Sequence, residues 1–264
     1  MKISHYLYNT FVIKTTEHKI AIDPGAMLLY PWRFTTLIPE SEWPDITHIL
    51  VTHGDPDHYW HTDHVARASG ATVICNSIMV RNIDGSDLLL GPRSRGLAFD
   101  TEIENVKTLN VDDEIEVDGV QVRGIKATHG PLVLKFGPFS KAIEPGPHER
   151  VGWGAIGFSI TVEGKTLVNL GDTLLHLSAW ESLRSPDILM IPIGGKSAHN
   201  TMDEENALKA VEMIRPKIVI PCHYNCPAFF RKNYNPADAE MFSRECRKLS
   251  SNCVILGNGN SVTI

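Results

Sequence analysis

Two imidazoles and two carboxylates fall within six positions, in the run Thr52-His53-Gly54-Asp55-Pro56-Asp57-His58. These are donor groups suited to a divalent cation. They follow directly on the apolar run Ile46-Thr47-His48-Ile49-Leu50-Val51. A buried strand ending in alternating metal-type side chains makes a poor core but a good cation holder. Residues two apart on an extended segment face the same side, so His53, Asp55 and Asp57 can converge on one point. His58 stands at the start of a predicted helix. The competing interpretation is a polar loop of unrelated His and Asp residues.

The segment resembles the His-x-His-x-Asp-His signature of the metallo-β-lactamase superfamily, with Asp55 where the second His normally stands. That family takes three later ligands, each at the end of a strand. Ala127-Thr128-His129-Gly130 follows Val120–Ile125, Gly171-Asp172 ends the run from Thr166, and Cys222-His223 ends the run from Lys217. The four pieces occur in the family's order and span nearly the whole chain. Ile191-Pro192-Ile193-Gly194-Gly195, Met202–Ala207 and Ile220–Asn225 are similar to one branch. That branch contains uncharacterised bacterial and archaeal metal-dependent hydrolases. More distantly it includes N-acylphosphatidylethanolamine phospholipase D and ascorbate-6-phosphate lactonase.

The resemblance implies a ligand set. His53, Asp55 and His129 would hold one metal, Asp57, His58 and His223 a second, and Asp172 would bridge them. Two cations about 3.5–4 Å apart share a hydroxide and clamp both oxygens of a displacement, lowering the pKa of water from about 15.7 to about 7. Asp57 would orient that hydroxide or take its proton. Asp55 is the departure. A carboxylate in place of a neutral imidazole adds a negative charge, weakens Lewis acidity, and shifts preference from zinc toward manganese or iron. The alternative is that Asp55 is too short to reach and sits behind the ligands, leaving a single-metal site. Flavodiiron oxygen and nitric-oxide reductases resemble this chain in placing a carboxylate at the same position.

Other candidates surround these. His199, in Lys196-Ser197-Ala198-His199-Asn200, lies between a strand end and a predicted helix, and could protonate a leaving group. A His precedes the corresponding helix in the phospholipase-like relatives. Lys196 could bind an anionic group, and His148 could reach the site from a long loop. A solvent-exposed loop position is the plain alternative for each. His61 and His64 suit a helix surface.

The elements that must position these groups are legible in outline. The sequence predicts strands at Tyr6-Leu7-Tyr8, Phe11-Val12-Ile13 and Lys19–Ile22, with a turn at Asp23-Pro24-Gly25. Residues 26–44 read as an aromatic, proline-rich loop. A helix follows from Asp57 to Ala68, stopped by Gly70, and a strand at Ala71–Cys75. The middle alternates strands and turns, interrupted at 130–154 by a Pro/Gly-rich loop that starts after His129 and would roof the site. Then come Ile188–Ile191, a helix from Met202 to Ile214, Ile218–Ile220, and a helix from Pro236 to Leu249. No linker splits the chain. The expected fold is α/β, a four-layer αββα sandwich forming one domain over residues 1–264.

Composition narrows the function. Hydrophobic residues make up 42% of 264, enough for a large core. The formal net charge of -6 argues against an extended nucleic-acid surface but not against a small anionic substrate held through a metal. No apolar run approaches transmembrane length, and the start lacks a leader pattern, so a cytoplasmic location is expected. Five scattered cysteines suit reduced thiols. A homo-oligomer is left open. The expected activity is hydrolysis of a phosphodiester or other small anionic ester or lactone, using two divalent ions (zinc, manganese or iron). The alternative from another class is a di-iron redox enzyme served by a separate electron-donor partner. A third is a non-catalytic, metal-stabilised binding protein.

Overall fold

A computed structural model describes residues 1–29, 33–83, 86–89, 105–136, 139–145, 151–228 and 233–264. Two seven-stranded sheets carry the fold. The first runs, in hydrogen-bonded order, Val106–Leu109, Thr72–Asn76, His48–Val51, Lys19–Ile22, Phe11–Lys14, Lys2–His5 and Ser261–Thr263. The second runs Glu114–Val117, Val120–Lys126, Ile156–Val162, Lys165–Asn169, Ile188–Pro192, Ile218–Cys222 and Asn252–Cys253.

Alternate side chains along each strand serve opposite faces. Ile20, Ile22, Leu50 and Ile74 of the first sheet meet Phe158, Ile160, Leu167, Met190 and Ile220 of the second. On the other face of the first sheet, Ala21, Ile49 and Val51 pack with Val65 and Ala66 of the helix Thr62–Ser69. On the outer face of the second, Leu189, Ile191 and Val219 meet Ala207, Val211 and Ile214 of the helix Glu204–Ile214 and Phe242 of Ala239–Lys248. The layers are therefore α, β, β and α, as the sequence predicts. Ile49, Leu50 and Val51 are fully buried, at roughly 1.5–3 kcal/mol each. Their anchorage fixes where the chain delivers His53.

Strand direction places the polar ends together. Lys19–Ile22, His48–Val51 and Thr72–Asn76 pair in parallel. So do Lys165–Asn169, Ile188–Pro192 and Ile218–Cys222. Val120–Lys126 and Lys165–Asn169 are both antiparallel to Ile156–Val162, so they share a direction. Every motif residue follows the C-terminal end of one of these strands.

Several boundaries differ from expectation. The first strand is Lys2–His5, and Tyr6-Leu7-Tyr8 is not a strand. Residues 6–10 form a turn in which Leu7 and Tyr8 take φ of 63° and 43°, closed by Tyr6 N donating to Thr10 O (2.8 Å). Strand propensity of aromatic and aliphatic residues is overridden there by tertiary bonds. The helix expected over 57–68 is two pieces, Pro56–Tyr59 and Thr62–Ser69. His61 N donates to Pro24 O (2.9 Å) between them, which breaks the helical ladder. The two later helices begin at Glu204 and Ala239, because Asp203 and Asp238 accept from Asn206 N and Met241 N as N-caps. The segments read as loops contain hairpins, Ala26–Leu29 with Arg33–Thr36 and Leu132–Phe136 with Phe139–Ile143.

Candidate metal centre

Four imidazoles and three carboxylates from both sheets converge at the strand ends. His53, Asp55 and His129 form one group, and Asp57, His58 and His223 another. Within each group the ligand-type atoms lie within 4.8 Å of one another. Asp172 stands between the groups. Its Oδ2 lies 2.9 Å from His223 Nε2, 3.7 Å from His58 Nε2 and 3.8 Å from His129 Nε2. Asp55 reaches inward, with Oδ2 3.5 Å from His53 Nε2 and 3.4 Å from His129 Nε2. Asp57 Oδ2 lies 3.4 Å from both His58 Nε2 and His223 Nε2.

The imidazoles are held from behind. His58 Nδ1 donates to Asp23 Oδ2 (2.8 Å), and His129 Nδ1 donates to Gly130 O (2.6 Å). Each bond fixes its ring with Nε2 toward the cluster, the nitrogen a metal would take in place of a proton. His53 Nδ1 lies 3.1 Å from Thr52 Oγ1. Asn235 Nδ2 lies 3.0 Å from His223 Nδ1 and donates to His223 O. Asp23 also accepts from Thr52 N (2.7 Å) and Thr52 Oγ1 (2.6 Å), so it orders the strand end that carries His53.

The returning end of the 130–154 segment closes over the first group. Trp153 O accepts from Gly54 N (2.9 Å), and Gly152 N donates to Asp55 Oδ1 (3.2 Å). Gly152 has φ +66°, and any Cβ there would overlap the His129 side chain. Only glycine lets the backbone approach this closely.

The residues fit divalent cations. His53 Nε2, His58 Nε2 and Asp172 Oδ1 are buried without a hydrogen-bond partner, an arrangement that costs about 1–3 kcal/mol per group unless something satisfies it. Charge is also poised for exchange with a cation. Burial alone would raise the Asp172 carboxyl, but the charges of His223 and His58 outweigh it and hold it far below the usual range. Burial would lower His223, but Asp172 outweighs that and pushes it up to about 9. His58 is likewise raised against burial by Asp57, Asp172 and Asp23. Asp57 is held low against burial by His58 and His223. At His129 burial wins over Asp55, so that ring is held neutral.

Two further candidates, His199 and Lys196, lie outside this cluster. His199 is exposed and caps the short helix Gly195–Ala198 at φ 60°. Lys196 is exposed on that helix. Neither bonds to the cluster among the described residues. His148 lies outside the described residues. Asp23, Asn235 and Asn200, which lie outside the sequence motifs, also contribute. Buried Asn200 donates through Nδ2 to Asp172 Oδ2 (3.3 Å), and its carbonyl accepts from Gly130 N (2.7 Å). Asp23 carried a readable signal, since it ends the buried strand Lys19–Ile22 just as the motif residues end theirs.

A sandwich of two mixed sheets with a His/Asp cluster at its strand ends defines a class of metal-site proteins. A family model described as the β-lactamase superfamily domain matches residues 2–223. A UPF0173 metal-dependent hydrolase of Carboxydothermus hydrogenoformans is 31% identical over 275 residues, covering 100% of each chain. One of Alkaliphilus metalliredigens is 31% identical over 226 residues, or 85% of this chain and 86% of that one. The chain belongs to the β-lactamase superfamily, among its UPF0173 metal-dependent hydrolases. Its fold is shared with Igni18, described as a novel metallo hydrolase of Ignicoccus hospitalis, at TM-score 0.70, 21% identity and coverage of 99% and 97%. Among the described residues, no helix is long and apolar enough to cross a membrane.

Proposed function

We propose that residues 1–264 form one hydrolase domain that uses two divalent cations (zinc, manganese or iron) to cleave a phosphodiester or another small anionic ester or lactone. The observation that carries this is the common placement of Asp172 Oδ2 between two three-residue donor groups. His53, Asp55 and His129 would hold one cation, Asp57, His58 and His223 the other, with Asp172 touching both. When bound, such a pair lowers the pKa of water to about 7 and draws charge from the scissile group.

The chain's own residues supply the rest. Asp57 combines a place in the second donor group with a side chain 16% exposed, so it can hold an incoming water by its proton. Asn200 steadies Asp172 from behind. His199 is the proposed proton donor to the leaving group, and Lys196 the proposed partner of the anionic group. Their support is chain proximity: both sit within four residues of Asn200, which touches the cluster.

The test is turnover of bis(4-nitrophenyl) phosphate and a panel of small lactones by protein loaded with each metal. Loss of turnover on chelation, and its return on adding metal, is expected. Oxygen consumption by the reduced iron form with no hydrolysis of any ester would instead support the redox alternative.

Two substitutions separate the roles. His199→Ala should lower kcat by about 10²-fold for esters with alkoxide leaving groups, the usual contribution of a general acid. It should change nitrophenolate release little, because that group leaves without a proton. Equal losses on both substrates would remove His199 from the acid role. Asp55→His replaces a carboxylate by a neutral donor at the same position. Competitive loading should then shift toward zinc and away from manganese or iron. Unchanged preference would place Asp55 behind the ligands.

A further inference from the structure

Asn9 lies outside every motif in the sequence, yet it is fully buried beneath the metal centre. It sits in the turn after Lys2–His5, where the positive φ of Leu7 and Tyr8 turns the chain inward. Its amide is completely used. Nδ2 donates to Asp23 Oδ2 (2.6 Å) and Asn169 Oδ1 (3.0 Å). Its Oδ1 accepts from Asn169 Nδ2 (3.0 Å) and from the Cys222 thiol (3.3 Å).

Each of these partners backs a different donor. Asp23 holds His58 Nδ1, in the first sheet's half of the site. Asn169 Oδ1 also accepts from Gly171 N (2.9 Å), shaping the φ +63° turn that presents Asp172 from the second sheet. Cys222 precedes His223, whose backbone N–H donates to Tyr8 O (2.8 Å) in the same turn. One amide therefore ties His58 to Asp172 across the seam between the sheets, and its turn adds His223.

We infer that Asn9 is a positioning residue that sets the spacing of the two half-sites, an inference that rests on the two-cation reading above. The chemistry selects asparagine. Aspartate lacks the two donors and would set a second carboxylate against Asp23, whereas leucine matches the shape but offers neither donor nor acceptor. Partners behind metal ligands govern ligand orientation, and losing one costs 10–100-fold in affinity in typical sites. Asn9 acts one bond further out, so the lower end of that range is expected.

The experiment is manganese titration of metal-free wild type, Asn9→Ala and Asn9→Asp, with melting temperatures of the metal-free proteins recorded alongside. Wild type should take two manganese ions. In both variants the dissociation constant of the weaker ion should rise about tenfold. Destabilisation with dissociation constants within twofold of wild type would reduce Asn9 to a packing role and overturn the inference. Wild type, labelled with ¹⁵N, supplies an arm that needs no variant. Zinc should shift the assigned Asn9 side-chain amide signals in step with those of the His58 ring. Asn9 signals unmoved at zinc saturation overturn the inference even if neither variant folds. Failure of wild type to bind a second ion sinks the two-cation reading itself, a result distinct from loss in the variants alone.

Discussion

Replacing Asp172 by alanine is expected to lower kcat/KM by about 10³-fold or more, roughly 4 kcal/mol of lost transition-state stabilisation. Among the described residues, this carboxylate lies near imidazoles of both donor sets, and it is buried. Without it the two proposed cations would lose their common ligand, and His58 and His223 lose the charge that holds them. Metal retained after dialysis should fall from two ions to one or none. Asp55→Ala removes a donor from one group only, so a smaller loss is expected, about 10–100-fold. The comparison is read from steady-state kinetics and metal content on the same preparations. Mild and similar losses in both variants would show that Asp172 does not serve two cations.

Asp23→Ala should have the second-largest effect, and it should appear first in stability. The carboxylate is fully buried and accepts from Thr52 N, Thr52 Oγ1, Asn9 Nδ2 and His58 Nδ1. Its removal strands several buried donors at once, a loss of about 3 kcal/mol or more. At 2–4 °C per kcal/mol for a domain somewhat under this size, the melting temperature should fall by about 6–12 °C. Metal affinity should fall about 10–100-fold as His58 loses its orientation. Asp23→Asn keeps the shape and one acceptor oxygen, so it should lie between. A melting temperature within about 2 °C of wild type for Asp23→Ala, with unchanged metal affinity, would contradict this role.

The parts of the site legible in the sequence share one property: each donor or donor cluster lies within a few residues after a run of buried apolar residues. His53 follows Val51 by two positions, Asp172 ends the run from Thr166, and His223 follows Cys222. Burial of those runs dictates where the chain must emerge, so local sequence carries the information. The supporting residues are different. Asn9 and Asn169, or Asn200 and Asp172, meet across 160 and 28 residues. Asparagine is common in turns for local reasons, so nothing in its neighbourhood marks a distant partner. Asp23 was the readable exception, since its strand Lys19–Ile22 ends like the others. The turn at 6–10 is hidden because Tyr6 and Tyr8 favour strands, and bonds such as Tyr6 N–H to Thr10 O and His223 N–H to Tyr8 O reverse that preference. The hairpins inside 26–44 and 130–154 were hidden by their prolines, which suggest loop more strongly than strand.

The central claim is that one set of seven side chains holds two cations with Asp172 between them. Crystals of protein loaded with manganese and with zinc, measured on both sides of each absorption edge, test it most directly. Two anomalous peaks are expected, one among His53, Asp55 and His129 and one among Asp57, His58 and His223, each in contact with Asp172. A single peak, or peaks away from Asp172, would contradict the account.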